Sequence, residues 1–516
     1  MTAIAGLIEL IGADRINQDA SICRLYSEDI AGSSKNTIRA LVTPADVDMI
    51  ASIVQWAMQS NVAVIARGGG MSYTAGYLPT CDASIMLDMT ALNSTIEIDH
   101  ATQSVTVDAG CTWSDLYDAL AKENRRTPFF GPLSGLVATV GGAVSQNAAF
   151  FGSARYGTVR EHVLGMELVD GCGRISWIDH STNPVITGIG FSGAELLNAL
   201  VGDAGAMGIK TRIKLRTIAT PIECHFASFA FGNAQQVIAA MDELRSVVQL
   251  ADVYAFDQQT HLNLARTGFS LQETPEFVKD LVAQSRSVVK SAVNLMKGAA
   301  LSKLHLKDCA WSLHIAMDLN EEEQYQPYMD EVTDICKQAG GRMIPDTIPR
   351  VTRARPFRPI KALIGPDGER WLPCHGVFDF QQAKPVMKKL EHCLAEHSSA
   401  MRIHSIRVST LLARVGQEVI IEPQFYWPDE LSEFQRAFAT RNQVQKFDGN
   451  VAQTEVRTEV HRYRAEIRNL FAAEGAGFMQ LGKYYPQVHR LSVISVDMAR
   501  EIKMGLDPQG ILNPEK

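Results

Sequence analysis

Apolar residues recur at two different periods along the first 220 residues, and the alternation between those periods lays out a region of mixed helices and strands. In VTPADVDMIASIVQWAMQSN, Val47, Ile50, Ile53, Val54 and Ala57 fall at helical spacing and form one apolar face. Thr43 is the expected N-cap, Pro44 occupies a position where its missing N–H costs nothing, and Asp46 favours the positive end of the helix dipole. The helix runs into VAVIAR, a short strand. SIMLDM, STIEID and SVTVDAG are short alternating runs that predict strands joined by turns, with TWSDLYDALAKENRR as a second helix behind them. IKTRIKLR alternates throughout: Ile209, Thr211, Ile213 and Leu215 lie on one face and Lys210, Arg212, Lys214 and Arg216 on the other, the pattern of a half-buried strand.

After Pro221 the texture changes to longer helical patterns, AQQVIAAMDELRSVVQL and PEFVKDLVAQSRSVVKSAVNLMKGA, mixed with strands such as CAWSLHIAMDL. IPRVTRARPFRPIKALIGPDGERW, rich in Pro and Arg, is expected to be an irregular crossing segment. VRTEVHRYRAEIRNLFAAEG predicts a helix that opens the last part of the chain. At 516 residues the chain exceeds what one core organises, so two or three domains are expected. The divisions fall at 1–35, 36–220, 221–455 and 456–516.

Charge and cysteine usage narrow the partners. Lys and Arg number 49 against 57 Asp and Glu, a formal charge of −8, which argues against a broad nucleic-acid surface and for a small-molecule ligand. No basic residue precedes the apolar stretch of MTAIAGLIELIGADRI, and no run approaches about 18 apolar residues, so neither a signal peptide nor a membrane span is expected. The nine cysteines are scattered and never form a CxxC pair. Reduced thiols in a cytoplasm, with no structural zinc, are the expectation.

The chemistry lies in the glycines. VAVIARGGGMSYTAG places Gly68, Gly69 and Gly70 after a strand, where successive N–H groups can form a concave anion site or simply a sharp turn. The run is not a Rossmann fingerprint, because Tyr73 stands where a third glycine is needed, and no Gly-Lys-Ser/Thr occurs for a P-loop. A second stretch, PFFGPLSGLVATVGGAVSQNAAFFGSARYGTVREHVLGMELV, has six glycines between Gly131 and Gly157 and predicts a long coil of small residues wrapped against an extended ligand. A third, VGDAGAMGIKTRI, places small residues directly before a strand. Three such loops in one α+β region point to a large, phosphate-bearing cofactor.

The order of RGGGMS, PLSGLVATVGGAVSQNAAFFGSARYG, VLGMELVDGCGRI, VGDAGAMGIKTRI and the terminal LDPQGILNPEK resembles the vanillyl-alcohol oxidase and p-cresol methylhydroxylase (PCMH) superfamily of flavoproteins. The resemblance covers residues 36 to 220 and the end of the chain. It implies an α+β fold in which the N-terminal part and the C-terminal tail form a PCMH-type FAD-binding domain, with an inserted α+β cap domain over an antiparallel sheet. Carried over by position, it puts the FAD pyrophosphate on the N–H groups of Arg67, Gly68, Gly69, Gly70, Met71 and Ser72. Pro132, Ser134, Thr139, Gly141, Gly142, Ser145 and Asn147 follow the cofactor, Gly152, Tyr156 and Gly157 lie near the flavin, Val163, Gly205 and Ile209 contact the adenosine side, and Asn513 approaches from the tail.

The pattern departs from the family at informative places. Met71 and its neighbours offer no histidine for covalent attachment, and His375 in DGERWLPCHGVFDF is the nearest candidate in the cap, so noncovalent FAD is expected. The phenolate-binding residues of the family have no counterpart at Met71, Thr158, Phe478 or Met479. The His-x-x-Gly-Asp-Gly-Asn string of the 2-hydroxy-acid branch is absent. His375, His404, Tyr484 and Tyr485 are the candidates for handling the substrate proton, and Glu422, Gln424, Tyr426, Gln480 and Lys483 for lining the pocket; no metal ligand set is expected. His404 and the YYP string are equally readable as packing residues. Arg350, Arg353, Arg355 and Arg358 either capture a carboxylate, dock an acidic redox partner or form a solvated loop.

The expected function is FAD-dependent hydride abstraction from the C–H bond of an alcohol, plausibly aromatic or lignin-derived. The alternatives are a 2-hydroxy-acid dehydrogenase of the D-lactate type and a flavin electron carrier without turnover. Oxygen, a cytochrome or a quinone serves as acceptor, and the family implies a homodimer.

Overall fold

The computed structural model describes residues 3–179, 196–266, 309–320, 323–354, 356–357, 364–365, 367–486 and 493–516. The helical pattern expected over PEFVKDLVAQSRSVVKSAVNLMKGA, and Arg355 and Arg358, lie outside them.

The first half builds two sheets. β1 (Ala40–Val42), β2 (Ala63–Arg67) and β3 (Ser84–Asp88) are parallel in the order β1-β3-β2, with α1 (Val47–Ser60) connecting β1 to β2. β4 (Ile96–Asp99), β5 (Ser104–Asp108), β6 (Val163–Val169), β7 (Ile175–Asp179) and β8 (Ile209–Arg216) form an antiparallel sheet in the order β7-β6-β8-β5-β4. α1 starts later than expected. Asp46, in extended backbone, accepts from the Met49 N–H at 2.8 Å and is the cap, while the Thr43 N–H donates to the Arg15 carbonyl. Its apolar face, Ile50, Ile53, Val54 and Ala57, is fully buried.

Two further expectations change. The second glycine stretch is not one long coil: α3 (Val140–Gln146) forms inside it, after α2 (Trp113–Ala121), because the Thr139 hydroxyl accepts from the Gly142 N–H at 3.2 Å and caps it. Lys210, on the polar side of the β8 alternation, is buried and paired with Asp203 at 2.6 Å.

The remaining chain forms an antiparallel sheet from β9 (Glu223–Phe231), β10 (Leu250–Asp257), β11 (Trp311–Leu319), β12 (Arg342–Ile344), β13 (Arg370–Pro373), β14 (Gly376–Asp379), β15 (Arg407–Val415) and β16 (Glu418–Trp427). The order is β12-β9-β11-β10-β15-β16-β13, and β14 also pairs with β16. Four helices cover one face: α4 (Ala234–Glu243), α5 (Tyr325–Gln338), α7 (Phe380–Glu396) and α8 (Thr454–Ala473). IPRVTRA is not irregular; it lies in α6 (Thr347–Ala354) and buries Arg353. The other face of the sheet turns to the first half, where Tyr254, Leu411, Ala413 and Ile420 pack with Ala149 and Phe150.

The tail returns to the first half. The Val64 N–H donates to the Ile511 carbonyl at 2.8 Å, and the Asn513 N–H to the Val64 carbonyl at 3.0 Å, so the terminal residues extend the edge of β2. The fold is α+β, with an antiparallel sheet in the cap and the tail returned to the first half.

Candidate active site

The three glycine-rich loops converge on one cleft. Arg67, Gly68, Gly69, Gly70, Met71 and Ser72 line it from the first loop, Pro132, Ser134, Thr139, Gly141, Gly142 and Ser145 from the second, and Gly205 from the third, with Gln480 on the far wall. Glycine is required here by close approach. A methyl group on Gly68 would overlap the Thr139 hydroxyl, and one on Gly69 the Val137 carbonyl.

The cleft suits the phosphates of FAD. Among the described residues, the N–H groups of Gly69, Gly70, Met71 and Ser72 donate to no protein acceptor, leaving a row of donors on the wall. Positive charge sits beside that row. Arg67 is buried with its guanidinium 4.3 Å from the centre of the Tyr26 ring and 5.1 Å from that of Tyr77. Asp203 orders the third loop, accepting from the N–H groups of Gly205 and Met207 at 3.0 Å each.

The other residues expected at the cofactor surround the cleft without lining it. Asn147 ends α3 in a left-handed conformation, its Oδ1 buried without a partner. Val163 and Ile209 belong to the cores beneath the loops. Asn513 is a latch: its Nδ2 donates at 2.7 Å to both the Gly76 and Ala204 carbonyls, and its Oδ1 accepts from Lys483. Gly152 stands at the seam with the cap sheet, at φ +82, donating its N–H to Asp252 at 2.7 Å. Gly157 follows at φ +79, and the Tyr156 carbonyl accepts from His162.

Beyond Ser72 the first loop enters the cap, where a polar network begins. Tyr73 is buried, and its hydroxyl lies 3.4 Å from both Glu422 Oε2 and His375 Nδ1, distances that are long for hydrogen bonds. His375 Nε2 is 2.9 Å from the Met479 carbonyl; a carbonyl only accepts, so Nε2 carries the proton and Nδ1 is the acceptor. The Tyr485 hydroxyl accepts from the His375 N–H at 2.7 Å and donates to Nδ1 at 3.2 Å. That assignment leaves the Tyr73 proton directed at Glu422. Gln424 Nε2 donates to Glu422 Oε1 at 2.7 Å, and Gln424 Oε1 accepts from Tyr426 at 3.3 Å and Trp371 at 3.4 Å. The Met479 carbonyl thus ties His375 to the segment carrying Gln480, the next residue, which lines the cleft.

The strand alternation explains why these groups meet. In β16, Val419, Ile421, Phe425 and Trp427 go into the helix-covered core, so Ile420, Glu422, Gln424 and Tyr426 present to the opposite face. Burial raises Glu422 above the usual carboxylate range, opposed by hydrogen bonds from Gln424 and Tyr73. Burial also lowers His375 to about 4 and raises Tyr73 and Tyr485 well above the ordinary phenol value. Behind them Arg464 is buried, donating to the Pro373 carbonyl at 2.9 Å and the Tyr73 carbonyl at 2.6 Å.

His404 and Tyr484 are placed elsewhere. His404 ends a short helix, half-buried near Glu459, with no bond to the network, because the turn after that helix carries it away from the sheet. Tyr484 lies under Arg464, 3.8 Å from guanidinium carbon to ring centre, with its hydroxyl buried and unpartnered. Tyr73 carries no local sequence signal of its place in the network, because its partners His375 and Glu422 come from distant parts of the chain. Arg353 is not solvated: it is buried between Asp252 and Asp318, and Asp318 also binds Arg126. Arg350 pairs with Asp346 at 2.7 Å.

Residues 38–179 match the family described as FAD binding domain. The chain is 26% identical over 262 residues to an uncharacterized FAD-linked oxidoreductase of Mycobacterium tuberculosis, covering 50% of this chain and 54% of that one. It is 30% identical over 177 residues to D-lactate dehydrogenase of Archaeoglobus fulgidus, covering 34% and 38%. The chain therefore spans about half, or less, of the curated relatives it matches. Among solved structures, 4-ethylphenol oxidase from Gulosibacter chungangensis aligns with TM-score 0.72 at 16% identity, over 100% of this chain and 96% of that one. A substrate-bound p-cresol methylhydroxylase aligns with TM-score 0.70 at 17% identity, over 99% and 95%. These alignments are of fold.

Proposed function

We propose, from the premise that the chain belongs to the PCMH-type FAD oxidoreductase superfamily, that it oxidises an alcohol at its C–H bond, with an aromatic alcohol as substrate class. FAD, when bound, supplies the hydride acceptor. The protein supplies binding, orientation and a destination for the hydroxyl proton.

The observation that carries this reading is a half-buried carboxylate, Glu422, on the cap face where the first glycine loop enters the cap, with Oε2 3.4 Å from the Tyr73 hydroxyl. In the proposed reaction Glu422 Oε2 takes the substrate hydroxyl proton, with Gln424 and Tyr73 holding the carboxylate in place. Neutral His375 and Tyr485 hold Tyr73 in register, and the Arg464 charge, close enough to bear on Tyr73 and Tyr485, eases the build-up of negative charge in front of it. Phe150, Tyr254 and Phe256 offer aromatic walls, with ring centres 5.8 Å apart for Phe150–Tyr254 and 5.3 Å for Tyr254–Phe256. Gln424, Tyr426 and Gln480 contact the substrate's polar groups. Both ring nitrogens of His375 are engaged and Met71 cannot form a link, which supports noncovalent FAD; the cofactor is then released when the protein is acid-precipitated.

The D-lactate dehydrogenase similarity favours a second reading, oxidation of a 2-hydroxy acid. That reading needs a cation for the carboxylate. Arg353 is committed to Asp252 and Asp318, and Arg350 to Asp346. Anaerobic mixing of the FAD-loaded protein with benzylic alcohols and, separately, with D-2-hydroxy acids distinguishes the two by which class bleaches the flavin band. A flavin carrier without turnover bleaches with neither.

A further inference from the structure

In the cap, on residues that do not line the cleft, α7 and α8 bring three unlike ligand types together. Cys393 Sγ lies 3.7 Å from Glu466 Oε1, and His397 Nε2 lies 3.1 and 3.0 Å from Glu466 Oε1 and Oε2. All three ligand atoms fall within 4.8 Å of one another, and among the described residues no other group of three His, Cys, Asp or Glu does so.

We propose that Cys393, His397 and Glu466 form a site for a thiophilic divalent cation of the zinc class. The geometry is suitable before any movement. With metal–sulfur bonds of about 2.3 Å and metal–nitrogen or –oxygen bonds of about 2.0–2.1 Å, the edges of a tetrahedron are roughly 3.3–3.6 Å long. The Cys–Glu and His–Glu separations lie within a few tenths of that range. Cys393 and His397 are one helical turn apart at the end of α7, so both project to the same side, and Glu466 faces them from α8. The His397 ring is held against Tyr463, with centres 4.7 Å apart. Its side chain is 22% exposed and that of Glu466 41%, which leaves a path for an ion and a fourth position for water. Arg462 is the nearby competitor, 3.7 Å from Glu466, but its shorter contact is with Glu459 at 2.7 Å.

The site would clamp α7 to α8, and α8 carries Arg464, the residue that holds the Tyr73 and Pro373 carbonyls. Its role is therefore structural support of the cap.

The test uses tag-free, FAD-containing full-length protein, stripped with EDTA and titrated with Co²⁺. The expected result is one Co²⁺ per chain, with the absorption of a tetrahedral thiolate complex beyond the flavin band and a rise in the thermal midpoint. Cys393→Ser abolishes the thiolate absorption, and His397→Ala weakens binding by at least the ~10–100-fold that losing a supporting partner costs. Cys172→Ser, a thiol in the first half of the chain, leaves both unchanged. Far-ultraviolet circular dichroism and retained FAD verify that the variants fold. Absence of the absorption in wild type, or Cys393→Ser and His397→Ala variants that bind Co²⁺ like wild type, overturns the proposal.

Discussion

Glu422 is where the smallest change should have the largest chemical effect. Glu422→Gln keeps the shape and one accepting oxygen for Gln424, but replaces the oxygen facing Tyr73 with an N–H donor and so removes the proton acceptor. It should lower kcat by about 10²–10⁴-fold while FAD binding is retained, measured by steady-state turnover beside the flavin spectrum. Tyr73→Phe should act in the same direction. The buried histidines set the acid limit of stability. His375, His162 and His261 are lowered to about 4 by burial, against about 6.5 in an unfolded chain. Between those values the unfolded chain binds more protons at these histidines, so their contribution to stability is fully present above about pH 6.5 and is lost as pH drops toward 4. His375→Asn should make that fall shallower in unfolding midpoints recorded across this range.

Among elements, the first glycine loop carries the cofactor claim. Gly69→Ala places a methyl group on the Val137 carbonyl and should drive the first two loops apart, reducing the FAD retained on purification. The loop, the apolar face of α1 and the β8 alternation were legible in the sequence because each rests on a local period or a local backbone need. Thr43 failed as a cap because Asp46, three residues on, accepts from the Met49 N–H and starts the helix there. Lys210 failed as a surface residue because its partner, Asp203, comes from the preceding loop, and alternation alone carries no information about partners. His375 could be singled out from its neighbourhood, whereas its union with Tyr73, Glu422 and Tyr485 could not. Those residues lie on the first loop, β16 and the C-terminal part; Tyr73 and Glu422 alone are 349 positions apart, and only the tertiary fold joins them. Cys393, His397 and Glu466 were invisible for the same reason, since no CxxC spacing announces ligands on two separate helices.

At the scale of the whole molecule, the two halves are held together by charge as well as by apolar packing. Arg126 comes from the first half, while Asp252, Asp318 and Arg353 come from the cap; together they form a buried cluster beside Phe130. Removing one member leaves uncompensated carboxylates, so Arg353→Met should destabilise the protein by about 3–5 kcal/mol, seen as a lowered midpoint in urea. The tail has a similar role, with Asn513 bridging the first and third loops. No helix among the described residues is long and apolar enough to cross a membrane. The network around the half-buried Glu422, where the first glycine loop enters the cap, gives the molecule its proposed chemistry. The most direct measurement is the anaerobic spectrum of the FAD-loaded protein mixed with a panel of benzylic alcohols and D-2-hydroxy acids. Loss of the flavin band with a benzylic alcohol, and its persistence in Glu422→Gln, is the result predicted; bleaching by hydroxy acids alone, or by neither class, contradicts it.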